Sequence, residues 1–469
     1  MSTWYEKAVF YHMYPLGMTG APREHTDDTV VNRFEELDRW VPHMQELGCN
    51  AVYIGPLFES SSHGYDTRDY KLVDRRLGGN DSFVRFVKLC HEAGIKVVVD
   101  GVFNHTGREF FAFRDIQEKR EGSRYCGWYK GVNFGWNSPM NDGFGYDAWQ
   151  GHYELPCLNL QNPEVKQYLF DVIRFWIDTF DIDGIRLDCA NVLDFQFMKD
   201  LRRETGLMKE DFWLMGEVIH GEYSRWVNDE MLHSVTNYEL HKSLYSGLND
   251  HNFFEIAHNV RRLEAVGRKL YTFLDNHDEN RIASKLKKKE HLPVAHLLLL
   301  TLPGIPSIYY GGEWGVEGMR TRDSDTVLRP CITMEEGRAL HCELTDYIAQ
   351  LGHIHDTEPA FHNGRYQELL LTNRQYAYAR IPDENAGKQP EGRPGTQPED
   401  QTGERKAKPS VIITAANNDD AEAVISIPVP FSASAAEDLM DGAVIPLTDG
   451  KINITLPGNS GVVLKIRED

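Results

Sequence analysis

Eight short runs of β-branched and apolar residues recur along the first two thirds of the chain, separated by longer stretches of mixed polarity. They are "AVFYHMYP" (8–15), "NAVYIGP" (50–56), "IKVVVDGVF" (95–103), "IDGIRLD" (182–188), "FWLMGEV" (212–218), "SVTNYEL" (234–240), "LYTFLDN" (270–276) and "IPSIYYG" (305–311). Near-continuous apolar character marks strands covered on both faces, as in a parallel sheet. Between them, "NDSFVRFVKLCHEAG" (80–94) and "NPEVKQYLFDVIRFWIDTF" (162–180) repeat apolar residues at a spacing near 3.6, the second with Asn162 as cap and Pro163 in its first turn. Eight βα units in succession predict an α/β fold closed as a (β/α)8 TIM barrel, with an open doubly wound sheet as the alternative. A chain of 469 residues exceeds one such barrel and leaves room for further domains.

Two regions break the alternation. The stretch 104–160 contains "YCGWYKGVNFGWNSPMNDGFGYDAWQGHY", rich in Gly, aromatic residues and Asn without a helical period. An irregular insertion after a third barrel strand lies at the end where loops build active sites, so it is expected to form a small lid-like subdomain. From about 356 the pattern becomes short alternating strands, "YAYARI", "SVIITAAN", "AVISIPV" and "SGVVLKI", which predict an antiparallel β-sandwich. The expected organisation is a barrel over 1–103 and 161–355, an inserted subdomain over 104–160 and a C-terminal sandwich over 356–469. Within the last, 382–409 is rich in Pro, Gly and charge and is expected to be a mobile loop.

Composition narrows the function. A net charge of −21 argues against a nucleic acid partner and leaves neutral ligands open. Neither a charged leader with an apolar core nor a run of 18 apolar residues occurs, so a cytoplasmic protein without a membrane partner is expected. The cysteines, seven and scattered, form no C-x-x-C pair and predict free or buried thiols, with no disulfide framework and no zinc site. H-E-x-x-H and G-x-S-x-G motifs are missing.

Asp100, Asp188, Glu217 and Asp278 each fall at or just past the C-terminal end of an expected strand, where catalytic groups of a barrel converge. An acid in this place commonly caps the next helix. Capping does not call for the companions found here: Asn104 and His105 after Asp100, Arg186 two residues before Asp188, and Asp275, His277 and Arg281 around Asp278. Residues i and i+2 of a strand share a face, so Arg186 and Asp188 project together. Carboxylates in one pocket suit chemistry on an acetal: one attacks the anomeric carbon, one exchanges a proton and one steadies the cationic sugar. Metal binding is the rival use of such a cluster.

"DGVFNH", "GIRLDCANV", "GEVIH" and "FLDNHD" resemble, in order, the four short signature regions of the α-amylase family of glycoside hydrolases (family 13). "HGYDTRDY" (63–70) and "GIPSIYYGGE" (304–313) resemble two further family segments. The resemblance implies Asp188 as nucleophile of a retaining reaction, Glu217 as general acid/base and Asp278 as the acid that binds sugar hydroxyls. It further implies Arg186 as partner of the nucleophile, His105 and His277 at the reacting sugar, Tyr65 stacked on that sugar with His63 beside it, and Asp100 in support. Arg281, three residues past Asp278 in "FLDNHDENR", joins the expected substrate-binding set.

"LPCLNLQNPEVKQYLFDVIRFWI" and "SRYCGWY" resemble the neopullulanase, cyclomaltodextrinase and maltogenic amylase group, which implies α-1,4-glucans, maltooligosaccharides and cyclodextrins as substrates. Two features depart from that group: the chain begins almost at its first strand, without the extra N-terminal domain, and Cys189-Ala190-Asn191-Val192 replaces V-A-N-E. At the calcium positions of many family members Asn104 is kept, whereas Cys157 and Val192 replace an acid and a histidine. No metal or cofactor is therefore expected. An α-1,6-glucosidase, a transferring or isomerising enzyme of the same family, and a non-catalytic carbohydrate-binding protein are the competing readings. Oligomeric state is not legible. "KLKKKE" (285–290) reads as a solvated helix face, Cys189 as a small core residue, and one or two of Trp128, Tyr129, Trp136, Tyr146 and Trp149 as sugar-stacking rings.

Overall fold

The computed structural model describes residues 3–26, 29–322, 324–382 and 410–467. All eight expected barrel strands form: β1 (Phe10–Met13), β2 (Ala51–Ile54), β3 (Lys96–Gly101), β4 (Gly184–Leu187), β5 (Trp213–Gly216), β6 (Ser234–Val235), β7 (Tyr271–Phe273) and β8 (Ile305–Tyr309). Every neighbouring pair is parallel, from β6 through β5, β4, β3, β2, β1 and β8 to β7. A parallel bridge between Thr236 and Tyr271 joins the two ends, so the sheet closes. The doubly wound alternative is thereby overturned.

The strand interiors show why closure is stable. Ala8, Phe10, Ala51, Tyr53, Val98, Trp213, Met215, Tyr271, Phe273 and Ile305 form one buried cluster inside the barrel. Phe10 stacks on Trp213 at 5.0 Å, and the absence of a side chain on Gly184 admits it: a Cβ there would lie 2.7 Å from the Trp213 carbonyl oxygen. The alternating residues on these strands, such as Val9, Tyr11, Val52, Ile54, Val97 and Val99, belong to the layer between strands and helices. The helix Pro163–Phe180 supplies that layer with Val165, Leu169, Val172, Ile173, Trp176 and Phe180, and Asn162 caps it by accepting the Glu164 N–H.

Three sequence expectations are corrected. The sixth strand is two residues long, because Asn237 accepts the Leu240 N–H and starts the helix Tyr238–Asn249 within the expected strand. The stretch 104–160 is less irregular than its composition: it holds the helix Phe111–Lys119 and a hairpin of Ala148–Trp149 with His152–Pro156. The lysine run is no helix face either, since the helix Ile282–Lys285 ends inside it and Lys285, Lys287, Lys288 and Lys289 pair with Glu279, Asp250, Asp420 and Glu317.

Beyond the barrel, eight antiparallel strands follow: β9 (Arg365–Leu371), β10 (Gln375–Ile381), β11 (Ile412–Asn417), β12 (Ala423–Pro428), β13 (Ala435–Asp438), β14 (Val444–Pro446), β15 (Lys451–Leu456) and β16 (Ser460–Arg467). They form a sheet in the order β9-β10-β11-β16-β13-β14 and a ribbon of β12 with β15. The central strands of the larger sheet, β10, β11 and β16, are buried on both faces. Ala377, Ala379, Ile413, Ala415, Val462 and Leu464 face the ribbon, while Tyr376, Tyr378, Ile412, Ala416 and Val463 join the barrel's own core. The helix Leu292–Thr301, apolar on all sides, lies at that seam: a Cβ on Gly461 would come within 2.2 Å of its Leu297. The buried Arg380 donates to the carbonyl oxygens of Thr301 and Phe361 at 3.0 and 2.8 Å. The loop expected at 382–409 lies, from 383 onward, outside the described residues.

Candidate active site

Strand register brings the first charges together. Asp100 on β3 stands opposite Arg186 on β4, and both are buried at the C-terminal end of the barrel. One Arg186 nitrogen, Nη1, donates to both Asp100 oxygens at 3.0 and 3.1 Å and to Asp188 Oδ1 at 2.9 Å. Its Nη2 lies 3.0 Å from Glu217 Oε2, which also accepts the Cys189 N–H at 3.0 Å. Tyr53 on β2 donates its hydroxyl to Asp100 Oδ2 at 2.9 Å. One guanidinium thus holds three carboxyl groups from three successive strands. Gly55 closes the wall behind Asp100: a Cβ there would fall 2.4 Å from the Asp100 Cβ.

Carboxyl oxygens of Asp188 and Glu217 come within 4.8 Å of each other. Burial pushes Asp188 up to about 8; Arg186 opposes the rise, and Glu217 and Asp100 add to it. A proton retained by such a pair belongs to the pair, not to one oxygen. Burial likewise pushes the Cys189 thiol well above its usual range, so it sits beside the nucleophile position as a neutral side chain.

A second group assembles after β7. Asp278 keeps 42% of its side chain accessible. Its Oδ1 accepts from Arg329 Nη2 at 2.9 Å, and its Oδ2 lies 2.9 Å from His277 Nε2. Burial raises its pKa, but the adjoining His277 and the Arg329 guanidinium outweigh that and hold the carboxyl well below the usual range. His277 also meets the Tyr65 hydroxyl at 2.5 Å, and the two rings stack at 5.7 Å. The His63 Nδ1 accepts the Tyr65 N–H at 3.3 Å, and the His63 carbonyl oxygen accepts from Tyr14 at 2.6 Å. His105 is buried near Trp149, with ring centroids 5.9 Å apart. Burial, reinforced by His63, lowers its pKa to about 3 and keeps the imidazole neutral.

The structure therefore gathers Asp100, Arg186, Asp188 and Glu217 in one cluster and His63, Tyr65, His277 and Asp278 in another, with His12 bridging them. The His12 ring stacks on Tyr53 at 4.3 Å and meets His277 edge-on at 5.3 Å. Arg281 does not join the expected set. It is fully buried, stacks over Tyr309 at 4.1 Å and donates to the Tyr310 carbonyl oxygen at 2.6 Å, so its guanidinium supports the loop from behind. The arginine at Asp278 is Arg329, 51 residues downstream in a segment without strand or motif pattern. His12 and Tyr14 were also unmarked, although they continue the inward alternation that begins with Phe10 in the first strand.

The calcium positions do not fit a hard cation. The Asn104 amide lies 3.1 Å from His105 Nδ1, Cys157 offers a thiol, and Val192 has an apolar side chain, so the set contains no carboxylate.

A family profile described as "Alpha amylase, catalytic domain" matches residues 37–338. The chain is 30% identical to the maltogenic α-amylase of Bacillus acidopullulyticus over 383 residues, covering 77% of this chain and 64% of that protein. It is 37% identical to neopullulanase 2 of Thermoactinomyces vulgaris over 296 residues, covering 61% of this chain and 50% of that protein. A solved cyclomaltodextrinase superposes with a TM-score of 0.83 at 26% identity, covering 99% of this chain and 78% of that one. The chain thus spans about half to two thirds of the length of these curated relatives. Among the described residues no helix is long and apolar enough to cross a membrane. Fold, carboxylate constellation and matched sequence agree that the chain belongs to the α-amylase family of glycoside hydrolases.

Proposed function

We propose that the protein is a retaining hydrolase that cleaves α-1,4-glucosidic bonds in maltooligosaccharides, cyclodextrins and related α-glucans through a covalent glycosyl-enzyme. The observation that carries this reading is the approach of the Asp188 and Glu217 carboxyl oxygens to within 4.8 Å under one shared arginine. Separations near 5 Å suit direct attack by one carboxylate, whereas inverting enzymes leave about 6.5–9.5 Å for a water. In this reading Asp188 attacks the anomeric carbon while Glu217 gives its proton to the departing oxygen. Glu217 then takes a proton from the water that releases the sugar. The proton the pair retains near neutrality is the one transferred, and Arg186 stabilises whichever carboxylate is charged.

Asp278, ionised beside His277 and Arg329, would accept hydrogen bonds from sugar hydroxyls and stabilise the developing positive charge. Tyr65 offers a ring face for stacking, while Asp100 and the neutral His105 line and support the reacting-sugar site. The names of the relatives support α-glucans as substrates. Seven unpaired cysteines support a cytoplasmic place of action, where thiols stay reduced.

The test is a product time course from β-cyclodextrin, maltoheptaose, pullulan, isomaltose and sucrose, with the product anomer read by NMR. Maltose and glucose from β-cyclodextrin and maltoheptaose, and trisaccharides that keep an α-1,6 bond from pullulan, all of retained α-configuration and abolished by Asp188→Asn, are expected. Inverted product refutes the retaining mechanism. Glucose chiefly from isomaltose, or rearranged products, would place the enzyme among the α-1,6-glucosidases or transferases of the family.

A further inference from the structure

Outside the carboxylate clusters, three side chains distant in sequence meet where the barrel touches the C-terminal sheet. His251 follows the helix Tyr238–Asn249, His291 closes the turn Lys289–His291, and Asp420 lies in the connection from β11 to β12. One donor atom from each lies within 4.8 Å of the other two. The two imidazoles are perpendicular, with centroids 5.4 Å apart.

Both histidines are prepared as ligands. The Nδ1 of His251 is hydrogen-bonded to the carbonyl oxygen of Asn418, which only accepts, so Nδ1 carries a proton and Nε2 is the ring nitrogen left for a ligand. Metal-bound histidines are commonly held by such a contact. His291 is 1% exposed, and among the described residues neither of its ring nitrogens has a hydrogen-bond partner. A buried imidazole left so is costly, and a ligand would satisfy it. The Asp420 carboxylate is engaged by Lys288 and Asn459.

We propose that His251, His291 and Asp420 form a binding site for a divalent transition-metal ion of the zinc class, fastening the C-terminal domain to the barrel. Two imidazoles and a carboxylate match that class and leave a fourth position for water. Calcium and magnesium prefer all-oxygen sets and do not suit it. Lys288 now supplies the positive charge at Asp420, so the entering ion must displace an ammonium group.

Zinc binding by the chelator-stripped full chain is measured calorimetrically, together with its thermal unfolding with and without zinc; calcium serves as a control. One zinc ion per chain that raises the unfolding temperature is expected, without a comparable calcium effect. Loss of a ligand should cost at least what loss of a supporting partner costs, about 10–100-fold in affinity. His251→Ala, at a half-buried position, and His291→Ala should each show that loss, whereas Lys288→Ala should bind zinc more tightly. No zinc binding by the wild type, equal binding by His251→Ala, weaker binding by Lys288→Ala, or a matching calcium effect would each overturn the proposal.

Discussion

Asp188 and Asp278 are the same residue type beyond two strands of one barrel, yet their surroundings drive them in opposite directions. Asp188 is buried, shares Arg186 with two other carboxyl groups, and is pushed up to about 8. Asp278 is 42% accessible, has His277 and Arg329 to itself, and is held well below the usual carboxylate range. The ratio of positive to negative groups, more than burial alone, separates a carboxyl pair that retains a shared proton from a carboxyl that stays ionised. A glycosidase needs both kinds.

The largest expected effect falls on the proton-sharing side. Asp188→Asn and Glu217→Gln should each lower kcat by about four orders of magnitude or more with an unchanged circular dichroism spectrum, whereas Asp278→Asn should cost about 10²–10³-fold. Equal losses at all three positions would erase the proposed division of labour. Next comes Arg186→Met, which strands three buried carboxyl groups; a destabilisation of about 3–5 kcal/mol is expected from denaturant unfolding.

A pair of arginines sharpens the comparison further. Arg329→Ala should lower kcat/KM by about 10–100-fold, the scale of a lost charged contact, and move the acidic limb of the pH profile upward as Asp278 loses a positive neighbour. Arg281→Ala, which removes a buried side chain without a contact to the carboxylates, should instead lower Tm and leave the pH profile in place. The reverse pattern would restore Arg281 to the substrate site.

That pair also shows how far the sequence could be read. Eight strands, the sandwich and the carboxylate-bearing motifs were legible because strand period and motif spacing are local properties, and adjacent barrel strands set Asp100 opposite Arg186 and end in the pair Leu187–Gly216, immediately before Asp188 and Glu217. Arg329 was not legible, since its contact with Asp278 depends on how an irregular segment folds back over the barrel mouth. Arg281 misled for the opposite reason: proximity in sequence to Asp278 does not fix direction, and its backbone turns the side chain toward Tyr309 and Tyr310. The helix Phe111–Lys119 was hidden inside a stretch judged by its Gly and aromatic content.

The smallest effect, and the most direct test of the opposed shifts, is in stability against pH. In the native state the raised Asp188 lets its pair with Glu217 retain one shared proton up to about pH 8, while an unfolded Asp releases its proton near 3.9, so the pair costs stability as pH rises between those values. Asp188→Asn has no such proton to lose, and its Tm should gain on the wild type progressively from about pH 4 to pH 8. Asp278 has the opposite sign: its stabilising ionisation is present above about pH 4 and is lost as pH falls toward its depressed folded value. Asp278→Asn should therefore lie slightly below the wild type in Tm at pH 7, with the gap closing in acid; solvent access to Asp278 keeps it small. Parallel Tm curves for both variants would show that the two carboxyl groups are not differently tuned.

The burial of the central sandwich strands on both faces has a bearing on protein engineering. Tyr376, Tyr378, Ile412 and Val463 belong to the barrel's core, and Arg380 completes carbonyl groups at Thr301 and Phe361. A chain cut after the barrel would expose an apolar face on the helix Leu292–Thr301 and favour aggregation. Minimised catalysts or fusions built on this scaffold should accordingly keep residues up to β16 and place their junctions beyond it.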